Sequence, residues 1–217
     1  MRRSFWLALA TGAAVAVPAS AGTVRGVLWL TPPSPRAAAE SGGNRRAQPG
    51  VADAVVYVDR VPDKVEKKLT HHGWFWRAPR LPRIVQQNRQ FDPRVLAVAR
   101  GTAVEFQNLD RVYHNAFSVS VAKRFDLGKY PPGTRDTVMF DRSGAINLHC
   151  DIHPDMVGFV VVLPNHVFCR PDSMGEYKLP SLPEGRYSVR VWHPRRGELR
   201  RDVVVPHRGD VDLTLVY

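Results

Sequence analysis

The sequence predicts an all-β protein, because its apolar residues fall in short runs that are separated by turn-forming residues. Residues 23–30 and 54–58 are rich in β-branched and aromatic side chains, and residues 158–163 form a third, apolar run. Residues 172–193 contain a Pro-Glu-Gly turn signal at 183–185 between two segments that read as strands. The whole pattern is typical of β-sandwiches.

The N-terminus reads as an export signal. Arg2 and Arg3 precede an apolar stretch at 5–17, and the small residues at 19–21 are typical of a cleavage site. The apolar stretch is too short to cross a bilayer as a helix, and no other stretch is long enough to do so. We therefore expect residues 1–21 to be a signal peptide and the protein to reach the periplasm. The Sec route is favoured over the twin-Arg route that two arginines also allow.

Two segments of the sequence read as loops. Residues 32–50 are rich in Pro, Ala, Gly, Ser and Arg, and residues 62–83 form the second segment. The second segment contains His71 and His72, followed by the Trp-Phe-Trp triplet at 74–76. Adjacent residues on a strand face opposite ways, so the histidine pair is interpreted as part of a surface loop rather than as a second metal site. A partner-docking patch and a lid on the sheet both fit the aromatic triplet.

One short segment combines side chains that hold a redox-active metal. Cys150, His153 and Met156 follow one another at intervals of three residues, and His114 lies 36 residues before the cysteine (150 minus 114). A thiolate, two imidazoles and a weak thioether are the ligands of an electron-transfer copper site. A structural zinc site prefers four thiolates or imidazoles, often in paired cysteine units. The sequence therefore predicts one copper ion bound by these four residues.

The residues before this loop predict how the cysteine is presented. Ile146, Leu148 and Cys150 share one parity, so on a strand they face one side, whereas Asn147 and His149 face the other. Cys150 would then leave the core-facing row at the end of the strand. The apolar run that follows would be the next strand. A loop held between two strands keeps its ligands in place with little reorganisation.

A disulfide is the main alternative for the cysteine. Cys150 and Cys169 are the two cysteines of the sequence, and two cysteines in an oxidising compartment suggest a bridge. A bridge would leave His114, His153 and Met156 unexplained. We therefore favour copper, and we expect Cys169 to be a free thiol.

The metal loop and its flanks resemble the cupredoxins, a family of copper-binding β-sandwiches. The Cys-x₂-His-x₂-Met spacing is similar to that of amicyanin within that family, and the wider stretch resembles cupredoxin-containing periplasmic proteins often called methylamine-utilization-like. The matching positions are 90–93, 101–102, 106, 108, 114–118, 125–128 and the loop at 150–156. The resemblance implies a Greek-key cupredoxin domain at residues 84–164.

The resemblance also implies roles for individual residues. His114, Cys150 and His153 would be the equatorial copper ligands, and Met156 would be the axial ligand that tunes the potential. Asn115 would help to tie the two ligand loops together. His153 would be the exposed edge through which electrons pass. No catalytic residue is implied, so we expect an electron carrier and not an enzyme.

A second resemblance concerns the two ends of the mature chain. Residues 172–193, with the strand-like runs at 22–30 and 54–58, are similar to the small β-sandwich of carboxypeptidase regulatory-like, or transthyretin-like, domains. The resemblance implies that residues 22–61 and 165–217 form one discontinuous sandwich, with the cupredoxin domain inserted between its strands. A tandem arrangement, in which the N-terminal strands join the copper domain, is the alternative.

The net charge of the sequence limits the classes of partner that we expect. The formal net charge is +11, and +9 once Arg2 and Arg3 are removed with the signal. A basic surface speeds the encounter with acidic molecules, so an acidic redox partner protein is expected. An anionic membrane surface and a merely solvated surface stay open as alternatives. The arginines are scattered, without a recognition helix or a base-stacking motif, so nucleic acid is not expected.

The predicted function is outer-sphere electron transfer by one copper ion in the periplasm. An oxidase or reductase would need a second copper set with several His-x-His pairs, and the sequence contains none. A copper-handling or structural envelope protein is the alternative. In that case the regulatory-like sandwich would be the functional domain.

Overall fold

The structure is a computed structural model that describes residues 21–31, 47–71 and 80–217. In these residues the chain forms nineteen strands, one α-helix and one short 3₁₀-helix, which confirms the all-β fold class. No helix in the described part of the chain is long and apolar enough to cross a membrane. The expected signal peptide, apart from Ala21, and most of the segment 32–50 lie outside the described residues.

The elements follow one another in three groups along the chain. Before residue 80 they are β1 (Ala21–Gly22), β2 (Val24–Trp29), the 3₁₀-helix Val51–Asp53, β3 (Val55–Val58) and α1 (Asp63–His71). The middle group contains β4 (Arg83–Gln87), β5 (Gln90–Asp92), β6 (Val95–Ala99), β7 (Thr102–Asn108), β8 (Phe117–Ser120), β9 (Lys123–Asp126), β10 (Arg135–Phe140), β11 (Gly144–His149) and β12 (Val157–Leu163). The last group contains β13 (Phe168–Cys169), β14 (Glu176–Lys178), β15 (Leu182–Pro183), β16 (Gly185–His193), β17 (Gly197–Val205), β18 (Val211–Asp212) and β19 (Leu215–Val216).

The middle group forms two sheets, which we call the central sandwich. One sheet has the strand order β10-β7-β4-β5 and the other has the order β6-β12-β11-β8-β9. Neighbouring strands are antiparallel, except for the parallel pairs β4 with β7 and β6 with β12. The fully buried core residues include Ile84, Phe106, Phe140, Ile146 and Val160. The loops that follow β7 and β11 contain all four predicted metal ligands.

The first and last groups of strands pair with each other and form an outer sandwich. Its sheets have the orders β13-β3-β16-β17 and β14-β2-β18, and β19 also pairs with β2. Val56 of β3, for example, lies opposite both Cys169 and Val191. Strands from the two ends of the chain thus pair with one another. The domain arrangement, discontinuous at 22–61 and 165–217 or tandem, and the likeness to regulatory-like domains stay predictions.

The outer sandwich requires a glycine in β2. A Cβ atom on Gly26 would overlap the backbone carbonyl of Leu213, which lies between β18 and β19. Because glycine has no side chain, β2 can accept both of these short strands along one edge.

The two sandwiches share β12. Its alternate residues Val160 and Val162 belong to the central core, whereas Phe159, Val161 and Leu163 belong to a second apolar cluster. That shared cluster also contains Val95, Val55 and Tyr57, with Trp192 packed against it. Because β12 begins directly after the metal loop, both sandwiches hold the strand that anchors the end of this loop.

The segment 62–83 differs from the predicted loop, because residues Asp63–His71 form the helix α1. Val65 and Leu69 lie four residues apart and pack against the outer core. Most of the other helix residues are charged, so a single apolar pair did not distinguish a helix from a loop. Residues 72–79, with the aromatic triplet, and the side chains of the histidine pair lie outside the described residues.

Replacing Phe159 with alanine tests the contact between the sandwiches. Its ring is 9% exposed, lies 5.6 Å from the Trp192 ring and has the Arg94 guanidinium above it at 5.4 Å. We expect Phe159→Ala to lower the free energy of unfolding, measured in urea, by about 3–5 kcal/mol. Val119→Ala, at a 67% exposed position, is the control. It should change stability by less than about 0.5 kcal/mol, and an equally small effect at Phe159 would mean that the shared cluster contributes no stability.

A buried histidine makes the stability of the outer sandwich depend on pH. The Nε2 atom of His193 lies 3.1 Å from the Gly50 carbonyl oxygen, and its Nδ1 atom lies 3.2 Å from the Arg195 amide nitrogen. Burial lowers the pKa of His193 below its ordinary value of 6.5. The unfolded chain therefore binds the proton more readily than the folded chain. The resulting stability is fully present above about pH 6.5 and is lost as the pH falls below it.

We expect the free energy of unfolding to decrease between about pH 7 and pH 5, and His193→Gln to reduce this decrease. The measurement is urea denaturation at a series of pH values. His207→Gln, which replaces an exposed histidine, is the matched control and should leave the decrease unchanged. A His193→Gln protein with the parent's pH dependence would contradict the assignment.

Candidate metal centre

Three of the four predicted ligands meet where the loops after β7 and β11 come together. One ligand atom from each of His114, Cys150 and His153 lies within 4.8 Å of the other two. The described residues contain no other such group of three histidine, cysteine or acidic side chains. Met156, the fourth predicted ligand, is 1% exposed and belongs to the same apolar cluster as Cys150.

The strand β11 presents Cys150 in the way that its sequence predicts. Ile146 and Leu148 are fully buried and Cys150 is 3% exposed, whereas Asn147 is exposed. The alternation of buried and exposed residues is therefore confirmed. It places the sulfur at the buried end of the strand, where the chain leaves the sheet.

His114 is fully buried, and one of its ring nitrogens has no hydrogen-bond partner among the residues that the structure describes. Its backbone forms a β-bridge with Tyr130, in which the amides donate to the opposite carbonyl oxygens at 3.2 and 2.8 Å. The side-chain Nε2 atom lies 2.7 Å from Asp110 Oδ2. The Nδ1 atom is buried and forms no hydrogen bond within the described residues. Buried polar atoms rarely lack a partner, so Nδ1 is the atom that a metal would satisfy.

The sulfur of Cys150 lies between the two loops. The Asn115 backbone amide donates to Sγ at 3.4 Å, and Sγ lies 3.9 Å from His153 Nδ1. Two donor atoms that bind the same ion at roughly 2.0–2.3 Å lie up to about 4.4 Å apart. The 3.9 Å between Sγ and His153 Nδ1 is therefore short enough for both atoms to bind one metal ion. The side chain of Asn115 also donates to Asp126 Oδ1 at 2.9 Å. The backbone amide of Asn115 thus connects the two loops.

The imidazole of His153 lies at the partly exposed side of the group. Its ring centroid is 4.8 Å from that of His114. Burial, followed by electrostatic effects of His114 and Arg89, lowers the pKa of His153. A neutral imidazole keeps the lone pair that a metal requires. The amide of Met156 donates to the His153 carbonyl at 2.9 Å, so the chain turns and returns the thioether to the core.

Asp110 fixes the ring of His114, a role that the sequence analysis missed. Besides the contact with His114, its carboxylate accepts hydrogen bonds from the backbone amides of Asn88, at 2.7 Å, and Arg89, at 2.9 Å. Burial by itself would raise the pKa of Asp110, but these hydrogen bonds outweigh it and lower the pKa. A carboxylate on one ring nitrogen of a histidine fixes its tautomer and its orientation. The available signal was an aspartate four residues before His114.

A buried polar network supports the same loop. Gln86, which is fully buried, donates from Nε2 to the Asn115 carbonyl at 2.9 Å and accepts the hydroxyl of Tyr130 at Oε1. Asn108 donates from Nδ2 to the Val112 carbonyl at 2.9 Å. These groups hold the backbone on both sides of His114. A glutamine at a core-facing position of β4 was the signal for this network.

The two cysteines are free thiols in different sandwiches. Cys150 belongs to the central core, and Cys169 packs against the outer core. Burial raises the pKa of Cys169 to about 12, so that this thiol stays protonated. The disulfide alternative is therefore not formed, and Cys150 is free to bind a metal.

Comparison with solved structures finds similarity to cupredoxins over part of the chain. The sequence matches no protein-family model and no curated protein. Its structure is similar to that of the purple cupredoxin from Nitrosopumilus maritimus, with 28% identity, 37% of this chain and 98% of that chain covered, and a TM-score of 0.34. A reduced Cu(I) form of an amicyanin variant is 22% identical, with 40% and 85% of the chains covered and a TM-score of 0.37. Because both scores lie below 0.5, the inference about the metal rests on the geometry.

Replacing Asp110 with asparagine tests how the His114 ring is held in position. We expect Asp110→Asn to weaken the binding of Cu(II) about 10–100-fold, because an amide supports the imidazole less strongly than a carboxylate does. The measurement is competition with a chelator. Asp141→Asn, which alters an exposed carboxylate 3.6 Å from Lys123, is the control and should leave the affinity unchanged. Equal affinities for both variants would mean that the loop backbone alone positions His114.

Proposed function

We propose that the protein is a mononuclear type 1 copper protein that carries single electrons by outer-sphere transfer. The observation that carries the proposal is the group formed by His114, Cys150 and His153 within 4.8 Å. In it, the buried Nδ1 atom of His114 lacks a partner from the described part of the chain. Met156 adds a thioether from the adjoining core. Two imidazoles, a thiol and a thioether suit copper better than zinc.

In this proposal each side chain has a separate role. His114, Cys150 and His153 would be the strong ligands, and Met156 would be the weak axial ligand that tunes the potential. Bound copper supplies a one-electron couple between Cu(II) and Cu(I). Cys150 would bind as the thiolate, and the amide of Asn115, 3.4 Å from Sγ, would donate a hydrogen bond to it.

The surroundings of the ligands favour fast electron transfer. His114 is fully buried, Met156 is 1% exposed and Cys150 is 3% exposed, so protein atoms and not water surround them. The Asp110 carboxylate, the amide of Asn115 and the flanking strands hold the proposed ligands in place. A site whose geometry is held by the protein needs little reorganisation when its charge changes. The partly exposed His153 is then the route for electrons to the surface.

The proposal includes a cellular compartment and a class of partner protein. The N-terminal signal in the sequence favours the periplasm, and the net charge of +9 after its removal favours an acidic redox partner protein. The role is that of a carrier and not of an enzyme, because electron transfer through His153 needs no substrate-binding group.

An optical and EPR spectrum of the copper-loaded protein tests the proposal. We expect an intense blue absorption from the bond between the Cys150 thiolate and Cu(II), and the narrow copper hyperfine splitting that such covalency causes. Cys150→Ser should lose the blue absorption, because an alcohol does not replace the thiolate. Cys169→Ser, which removes the other thiol, is the matched control and should keep it. A colourless copper-loaded parent would contradict the carrier function.

A further inference from the structure

An open groove lies on the His114 side of the candidate metal centre. It has a volume of about 520 Å³ and is lined by residues 87–89, from the turn between β4 and β5, and residues 109–112, from the loop before His114. We call it the Asp110 groove, because Asp110 contacts both sides of it. The carboxylate of Asp110 accepts the amides of the turn and lies 2.7 Å from His114 Nε2. One side chain therefore separates the groove from a proposed copper ligand.

The groove combines positive charge with exposed apolar surface. Arg89 and Arg111 are exposed, and neither forms an ion pair within the part of the chain that the structure describes. The single carboxylate of the lining, that of Asp110, is engaged by His114 and by backbone amides. Leu109 is 48% exposed and Val112 is 38% exposed. Tyr113, 57% exposed, extends the apolar surface towards His114.

We propose that the Asp110 groove is the docking site for an acidic redox protein, an inference that rests on the proposed electron-carrier function. Carboxylates of the partner would pair with Arg89 and Arg111, whose guanidinium groups bind carboxylates in a forked geometry. Apolar atoms of the partner would cover Leu109 and Val112, as in the centre of many protein interfaces. The positive charges of Arg89 and Arg111 complement the carboxylates of an acidic protein. The groove also lies beside the candidate metal centre, because Asp110 contacts His114.

Docking here provides a second, short route to the metal. From the groove, an electron would cross the hydrogen bond between Asp110 and His114 rather than the exposed ring of His153. A reduced partner would lose one electron, bound Cu(II) would gain it, and no bond or proton would be transferred. An anionic membrane would also be attracted to the arginines. A membrane does not account for a groove that only the Asp110 side chain separates from a proposed ligand, and so a protein partner is favoured.

Reaction with a small anionic oxidant tests the groove. The copper(I) protein is mixed with hexacyanoferrate(III) in a stopped-flow instrument, with and without poly-glutamate as an acidic competitor. We expect Arg89→Glu/Arg111→Glu to slow the reaction about tenfold at low salt, because the local positive potential is reversed. The same variant should no longer be inhibited by poly-glutamate and should react faster with the cation tris(phenanthroline)cobalt(III). Arg89→Gln/Arg111→Gln, a milder variant, should give intermediate rates.

The control carries the same change of net charge at a different place. Arg186→Glu/Arg208→Glu alters two exposed arginines of the outer sandwich and should keep most of the rate and the inhibition by poly-glutamate. Equal slowing in both double variants would overturn the docking site but leave the carrier function standing. Binding to anionic lipid vesicles that needs Arg89 and Arg111, without an effect on the electron-transfer rates, would overturn it in favour of a membrane. A parent protein that takes up copper without the blue absorption would overturn both proposals, and the blue absorption of each variant shows that it is folded.

Discussion

The candidate metal centre depends on the contact between two loops that are distant in sequence. The hydrogen bond from the Asn115 amide to Cys150 Sγ, at 3.4 Å, is the point where these loops meet. On one side, Asp110, Gln86 and the β-bridge to Tyr130 hold His114 and Asn115 in position. On the other side, the paired strands β11 and β12 hold the two ends of the cysteine loop. Both sides of the candidate centre are therefore held by hydrogen bonds and paired strands of the protein itself.

Most of the ligand group could be predicted from the sequence because each of its parts is local. The spacing of Cys150, His153 and Met156 lies within one turn-containing loop, and the alternation along β11 shows which side of the strand is buried. The groups that support the ligands could not be predicted in this way. Asp110 acts through a bond to the turn at Asn88, 22 residues away in sequence, and Gln86 acts on a loop 29 residues away. Contacts of this kind depend on the packing of the sheets and leave no periodic signal.

The fold shows the same difference between features with a local sequence signal and features that depend on distant contacts. Strands with a clear alternation or an apolar run, such as β2, β3 and β12, lie close to their predicted positions. The helix α1 was missed because its stability comes from the outer core and not from its own sequence. Val65 and Leu69 form one apolar pair on a helix that is otherwise mostly charged. The pairing of the first strands with the last ones has no local signal, because nothing in the sequence of β2 specifies a partner beyond residue 165.

The double burial of β12 has a consequence for the energetics of the whole chain. A ligand that binds only the folded state adds its binding free energy to every unit that must be folded for binding to occur. Since one face of β12 packs against the outer sandwich, opening of that sandwich would expose Phe159 and Val161 and loosen the anchor of the metal loop. Binding of a metal ion by the proposed ligands should therefore slow hydrogen exchange in strands such as β3 and β16, which belong to the outer sandwich. In thermodynamic terms the two sandwiches would then respond to the metal as a single cooperative unit.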